Sequence, residues 1–336
     1  MKALVTANFT EEGLARLRNY MEVVYEPWGK TSKINLSDEM AEKLKGMGAD
    51  VAIIETDLCH EEVLESVPLK MIGVCRGDPL NVDLEMATAK GIPVFFTPAR
   101  NADAVADLTV GFMLCLCRKI IHSHNLLIAG NYNPETPKDV MRIMRELSGC
   151  ELNGLTVGIV GFGAIGRGVA ERLRGFRSKI LAYDPFVAKE VFARFQAESA
   201  GLEDLFRRSD LVTIHAAHKD ETEGMITRAL IESMKPSAYF VNLARAELVD
   251  QDALYQALKE KKIAGAGIDV WSSEPPQKDD EPLLSLDNVV VAPHLGGATF
   301  DVTRHQTEMI VNDIEAYLAG KPVKHIANPE VLEKKK

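Results

Sequence analysis

What this 336-residue chain lacks already narrows its reading. No apolar run approaches the roughly 20 residues that a bilayer-spanning helix needs, the run at 108–117 being among the longest. The opening residues M-K-A-L-V-T-A turn polar too soon for a secretory leader and read as a first strand. Basic residues are not in excess: the net charge is −10, so the cationic footprint that nucleic-acid phosphates require is missing. Low-complexity tracts and internal repeats are absent, and aromatics make up only 6%. The five cysteines (Cys59, Cys75, Cys115, Cys117, Cys150) are odd in number and show no metal-ligand spacing, so no metal is expected. Cys115-x-Cys117 lies in an apolar helix-like run and reads as small buried hydrophobes. These absences leave a cytoplasmic protein with neither a membrane nor a nucleic-acid partner.

What is present centres on 155–170, L-T-V-G-I-V-G-F-G-A-I-G-R-G-V-A. A short apolar run reads as a fully buried strand, and Gly161, Gly163 and Gly166 then form G-x-G-x-x-G at the head of a helix. The first glycine permits the tight turn and the second a close backbone approach to a pyrophosphate. The third lets helix pack on strand. The helix start at Ala164 and Ile165 would offer free N–H groups and a positive dipole end to phosphates. A second strand, Lys179–Tyr183, ends in Asp184, eighteen residues after Gly166. There a carboxylate would accept hydrogen bonds from an adenine-ribose diol and repel a 2′-phosphate, so NAD is favoured over NADP.

Around this unit, strands and helices alternate, which implies parallel sheets covered on both faces. Strand candidates run 2–7, 23–26, 51–55, 71–75 and 93–96. A second series follows at 155–160, 179–183, 211–215, 238–243, 265–270 and 289–293. Thr10 is a plausible N-cap for a helix over 10–21. Asn101–Ala129 reads as one long helix, Gly130–Lys138 as a loop, Thr299–Ala319 as a second long helix and Glu333–Lys336 as a solvated end. Two long helices flanking one series suggest an inserted domain. The expected division is 1–102 with 300–336, and 103–299, with a ligand in the cleft between them.

Three further segments sit at the C-terminal ends of expected strands: N-L-A-R at 242–245, G-I-D-V-W-S-S-E-P at 267–275 and A-P-H-L-G-G-A-T at 292–299. With the glycine loop ahead of them in this order and spacing, the chain resembles the D-2-hydroxyacid dehydrogenase family. That family includes 3-phosphoglycerate dehydrogenases and glyoxylate/hydroxypyruvate reductases. The resemblance covers essentially the whole chain. It implies an α/β fold of two doubly wound parallel-sheet domains, with a Rossmann NAD-binding domain inserted into a flavodoxin-like substrate domain. It also implies a homodimer through the cofactor domains, with 111–127 contributing, and domain closure over the substrate.

The implied chemistry is hydride exchange between NAD(H) and a small D-2-hydroxy acid or its 2-oxo acid. Arg245 would grip the substrate carboxylate with its planar fork. His294 would act as general acid and base, and Glu274 would orient its ring and favour the imidazolium. Asp269 would hold the nicotinamide carboxamide, Arg167 would reach the pyrophosphate, and Thr222 would contact the cofactor. The loop Cys75–Asn81 stands in for the family's glycine-rich substrate loop. The amides of Gly77 and Asp78 could bind the carboxylate, and Arg76 or Arg100 could read a second anionic group or pair with a neighbouring acid. Trp271 would wall the pocket or simply pack. His60, His122, His124, His305 and His325 match no catalytic position.

The chain departs from the family pattern at Arg245-Ala246, where Arg-Gly is usual, and at His215–Thr222, where Lys219 replaces a Thr of H-x-P-L-T-x-x-T. The stretch 130–149 is longer than in many relatives, and no appended regulatory domain is expected after Lys321. Two other readings stay open: 3-phosphoglycerate dehydrogenase proper, and a non-catalytic NAD(H)-sensing corepressor-like protein. The side chain of the acid and the physiological direction are not written in these residues.

Overall fold

A computed structural model describes residues 1–333, so the three lysines of the charged tail lie outside the described residues. The chain divides into two compact units, Met1–Asn101 with the segment from Thr299 onward, and Ala102–Ala298.

In the first unit the strands are β1 (Lys2–Val5), β2 (Glu22–Tyr25), β3 (Val51–Ile54), β4 (Met71–Val74) and β5 (Val94–Phe96). They form a parallel sheet in the order β2-β1-β3-β4-β5, the flavodoxin-like arrangement. β3 and β4 are buried along their whole length because helices cover both faces. Alternate residues therefore feed opposite cores. Leu4, Ala52, Ile54 and Ile72 join one, while Val5, Ile53, Met71 and Phe95 join the other. The Glu11–Arg18 helix begins where expected, the Thr10 hydroxyl accepting from the Gly13 N–H at 3.2 Å. The Phe300–Leu318 helix lays Ile310, Val311 and Ile314 on the second core.

The second unit continues with β6 (Thr156–Val160), β7 (Lys179–Tyr183), β8 (Ala197–Ser199), β9 (Leu211–Ile214), β10 (Tyr239–Asn242), β11 (Gly265–Ile268) and β12 (Val289–Val291). The order is β8-β7-β6-β9-β10-β11-β12, all parallel, with the direction of winding reversing between β6 and β9. Both units are thus doubly wound, as expected, and in such sheets ligands gather outside the carboxyl ends of the strands. β8 was not anticipated: its A-E-S sequence is mostly polar because it forms an edge with little to bury.

The single helix expected over 101–129 is two. Ala102–Cys117 ends before Lys119, which adopts the left-handed conformation (φ 52°), and Ile120–Ile128 follows. The cause lies far along the chain. The Cys117 carbonyl accepts from the Cys150 N–H at 2.9 Å, and a Cβ built on Gly149 would lie 1.8 Å from that same oxygen. The returning chain occupies the space the next helical turn needs. Pro137 and Lys138, expected in a loop, instead begin a helix, Pro137–Leu147. The Thr136 hydroxyl accepts from the Asp139 N–H at 3.2 Å and the Asp139 carboxylate accepts from the Thr136 N–H at 3.0 Å. The long 130–149 stretch is therefore a capped helix on an excursion that closes at the Cys117–Cys150 contact.

Gly149→Ala should lower the unfolding free energy by about 1–3 kcal/mol, since backbone rather than a mobile side chain blocks the added methyl. Denaturant titration would measure it, and an unchanged midpoint would contradict this account of the helix break.

Candidate active site

The glycine loop owes its form to close backbone approaches. Gly161 has φ 88°, and its built Cβ would meet the Ala216 nitrogen at 2.5 Å and the His215 carbonyl carbon at 2.6 Å. A Cβ on Gly166 would lie 2.1 Å from the Gly161 oxygen, so glycine there lets the Ala164–Gly175 helix sit directly on the end of β6. Gly163 has nothing within 4 Å of its built Cβ, which leaves open space above the turn. As N-cap it offers no side chain, and the amides of Gly163, Ala164, Ile165 and Gly166 have no partner among the described residues. Four unpaired N–H groups, an open approach and the positive end of a 12-residue helix fit a pyrophosphate. Arg167 folds back over this turn, its Nε donating to the Gly163 carbonyl at 3.1 Å.

Asp184 lies at the end of β7 as expected. Its carboxylate accepts from the Phe162 N–H at 2.8 Å and from the Phe186 N–H at 3.0 Å, tying the glycine loop to the strand end. Thr222, expected to contact the cofactor, has its hydroxyl in hydrogen bonds within its own turn. It donates to the Ala217 carbonyl and accepts from the Lys219 N–H, both at 2.8 Å, and so closes its own turn. His215 was passed over as a mere position in a motif. Burial pushes its ring pKa down to about 3, so it stays neutral. Its Nε2 lies 3.0 Å from the Thr213 hydroxyl, while its buried Nδ1 has no partner among the described residues.

At the other strand ends a second group assembles. His294 Nδ1 lies 2.7 and 2.8 Å from the two Glu274 carboxylate oxygens, and both side chains are about two-fifths exposed. This clamp fixes the ring and leaves Nε2 without a protein partner among the described residues. His294 itself is left-handed, with φ 58°, a strained conformation for a residue that carries a Cβ. Asp269, expected to hold a nicotinamide carboxamide, is fully buried beneath this loop. Its carboxylate accepts from the Leu295 and Gly296 N–H groups, each at 2.7 Å, and its carbonyl accepts from the His294 N–H at 2.9 Å. Burial pushes the Asp269 carboxyl up from its ordinary value, and the two N–H donors pull it back.

Arg245 is exposed, its Nη1 donating to the Ala244 carbonyl at 2.6 Å. Asn242, quoted above without a role, shapes that turn. Its Nδ2 donates to the Arg245 carbonyl at 2.8 Å and its Oδ1 accepts from the Ala244 N–H at 2.9 Å. The sequence signal was available: an amide side chain three residues before an arginine at a strand end. Trp271 packs rather than walls a pocket, being 5% exposed with its Nε1 donating to the Ala292 carbonyl at 2.9 Å.

In the first unit, Arg76, Gly77 and Asp78 are exposed after β4, and the amides of Gly77 and Asp78 and the Arg76 guanidinium have no partner among the described residues. Arg100, a candidate for a second anionic group, has its Nη1 ion-paired to Glu55 at 3.0 Å and bonded to Gln306. His325 pairs with buried Asp313 at 2.8 Å, and His305 Nδ1 lies 3.0 Å from the Arg100 carbonyl, both structural roles. Among the described residues no group of three or more His, Cys, Asp or Glu side chains could hold a metal ion.

Known proteins bear on this arrangement. Residues 110–296 match the family model described as D-isomer specific 2-hydroxyacid dehydrogenase, NAD binding domain. The chain is 40% identical over 312 residues to YoaD of Bacillus subtilis (strain 168), named as a 2-hydroxyacid dehydrogenase, covering 92% of this chain and 89% of that one. It is 34% identical over 332 residues to a glyoxylate reductase of Thermococcus litoralis, covering 98% of each. The solved structure of the TT0316 protein from Thermus thermophilus superposes with a TM-score of 0.79 at 31% identity, over 97% of this chain and 100% of that one.

Gly166→Ala should weaken dinucleotide binding by roughly tenfold or more, because the helix must back away from Gly161 and carry its amides with it. A fluorescence titration with NADH measures this; undiminished affinity would remove the close packing from the account.

Proposed function

The chain belongs to the D-isomer specific 2-hydroxyacid dehydrogenase family and is an NAD-dependent oxidoreductase, and from that premise we propose that it interconverts a small D-2-hydroxy acid and its 2-oxo acid with His294 as proton donor and acceptor. The observation that carries this reading is the His294–Glu274 clamp, which occupies Nδ1 and leaves Nε2 without a protein partner among the described residues. Burial lowers the His215 ring pKa to about 3, so His215 carries no imidazolium proton near neutral pH. NAD(H), when bound, would supply or take the hydride at the substrate's C2. The residues suited to hold it are the amides of Gly163 to Gly166, Arg167 for the pyrophosphate and Asp184 for the ribose diol, which favours NAD over NADP.

As the oxo acid is reduced, negative charge grows on the C2 oxygen. His294 delivers its Nε2 proton there, and in the reverse direction it takes the proton from the hydroxyl. Glu274 keeps the ring in one orientation throughout. The Arg245 fork pairs the substrate carboxylate and withdraws electron density from the oxo group. The amides of Gly77 and Asp78 are further carboxylate donors on this reading. The acid is unphosphorylated: of the two cations considered for a phosphate, Arg100 is neutralised by Glu55 and only Arg76 remains unpaired among the described residues.

We also propose a homodimer through the second unit, where Leu127, Ile128, Met141 and Met144 expose 60–76% of their surface. Sedimentation should give twice the chain mass. We place the protein in the cytoplasm, in keeping with five free thiols. Among the described residues no helix is long and apolar enough to cross a membrane.

His294→Ala should lower kcat by roughly 10²–10⁴-fold while NADH still binds; near-normal turnover would refute the role. Arg245→Lys should raise KM and lower kcat, since a point charge cannot replace the fork, and unchanged kinetics would remove it from the site. NADH oxidation against glyoxylate, hydroxypyruvate, pyruvate and phosphohydroxypyruvate should favour an unphosphorylated acid. Preference for phosphohydroxypyruvate would overturn the reading of Arg100, and silence across the panel with NADH bound would point to an unusual substrate or to a sensor.

A further inference from the structure

We propose that Cys117 and Cys150 form a modification site: a low-molecular-weight disulfide oxidises the two thiols to a cystine that staples the 118–149 excursion at its base. Cys150 precedes β6 and the pair lies beside Tyr239, the first residue of β10, whereas the reactive groups follow the strands. The pair therefore sits at the opposite edge of the sheet, and the proposal stands whatever acid the protein handles.

Cys117 is the last residue of the Ala102–Cys117 helix and is 0% exposed, in one core with Met113, Leu116 and Leu152. Cys150 is half-buried, two residues before buried Leu152. The Cys150 N–H donates to the Cys117 carbonyl at 2.9 Å, and the two side chains lie within hydrogen-bonding reach of each other. A disulfide needs Cα atoms within about 7 Å, which a hydrogen bond between the two residues' own peptide groups secures. The approach is held by Gly149, whose backbone lies directly on the Cys117 carbonyl. The Lys119 Nζ donates to the Glu146 carbonyl and closes the same base from outside. Cys115 has no such place, because residues two apart on a helix face different ways.

The two thiols have different parts. Burial, and then the neighbouring Cys150, push the Cys117 thiol far above its ordinary value, so it stays protonated and does not meet reagents from solution. The Tyr239 phenol is pushed up by burial and by both cysteines, so it stays neutral and lends neither thiol a charge. Cys150 is the accessible member. Its thiolate attacks one sulfur of the small disulfide, a mixed disulfide forms, and one small thiolate leaves and takes up a proton. Cys150 then no longer sets a negative charge against Cys117. Cys117 gives up its proton and attacks the Cys150 sulfur; the protein S–S bond forms, and the second small thiol leaves with that proton. Two protein thiols are oxidised and one small disulfide is reduced to two thiols. The bond closes a loop that carries Leu127, Ile128, Met141 and Met144, each 60–76% exposed.

The test is to incubate the full chain with oxidised glutathione, block free thiols with iodoacetamide and map the peptides by mass spectrometry without reduction. We expect one peptide pair joined through Cys117 and Cys150 and released by dithiothreitol. The oxidised protein should melt about 5–10 °C higher, since the cross-link restricts the unfolded chain. Cys117→Ser should stop at a mixed disulfide on Cys150, and Cys150→Ser should leave Cys117 unmodified. Cys115→Ser should form the cross-link unchanged. The wild-type map decides the matter should a serine variant fail to fold. Free thiols at both residues after oxidation, a bond that recruits Cys115 or a second chain, or a mixed disulfide that persists on Cys150 in the wild-type chain would each overturn the proposal. A cross-link that leaves the melting temperature unchanged would refute the staple.

Discussion

A parallel strand that ends inside a covered sheet leaves peptide groups that must find partners within a residue or two, and much of this molecule follows from how that demand is met. At the end of β6 the Val160 carbonyl accepts from His215, and beside it the Tyr183 carbonyl accepts from Gly161. Further along, Asn242 accepts from Asp269, Ile268 from Ala292, and Asp269 from His294. Each closure bends the chain sharply across the carboxyl edge and fixes the loop that follows. The site is the sum of these closures. The amides of Gly163 to Gly166, at a helix start, have no partner among the described residues, and nothing lies within 4 Å of a Cβ built on Gly163.

The first unit meets the same demand with acids. Buried Glu55, just after β3, accepts from the Asn8 N–H at 3.2 Å, Trp28 Nε1 at 2.9 Å, Gln306 Nε2 at 3.2 Å and Arg100 at 3.0 Å. Asp57, fully buried, accepts from the Asn35 N–H at 2.7 Å and its Nδ2 at 2.6 Å, and from the Thr6 hydroxyl. Such networks hold only when every member is satisfied, so they lock the loops they join. Arg100 is held in this network through its Nη1, whereas the Arg76 guanidinium, two residues beyond β4, has no partner among the described residues. Exposed pairs such as Arg142–Glu146 belong to another class and contribute about a few tenths of a kcal/mol.

Sequence patterns captured what depends on near neighbours or on period. Buried strands, the Thr10 cap and the glycine loop all announce themselves within a dozen residues, and the two doubly wound sheets follow from their alternation. What escaped depends on residues far apart in the chain. The break at Lys119 is imposed by Gly149 and Cys150, about thirty residues on, while the run itself is uniformly helix-forming. The His294–Glu274 contact was anticipated from family resemblance, whereas the amides on Asp269 lie 26 and 27 residues away in a loop whose shape no periodicity encodes.

Departures from the family pattern can be weighed by the same physics. Ala246 stands where a glycine is usual. A glycine is irreplaceable only where φ is positive or where backbone crowds its Cα. Ala246 is buried at the head of a short 3₁₀ turn and is not among the residues with positive φ, so its methyl is accommodated. Gly163 has free space and extended backbone, so its role is to leave an approach open rather than to permit a conformation. Gly161, Gly166 and Gly296 differ in kind, for each faces backbone or a buried carboxylate at a distance no methyl tolerates without movement. The first two fix the turn that opens the Ala164–Gly175 helix, and the third fixes how closely the loop after His294 lies on the Asp269 carboxylate. A glycine's worth in this chain is therefore set by what lies across from it.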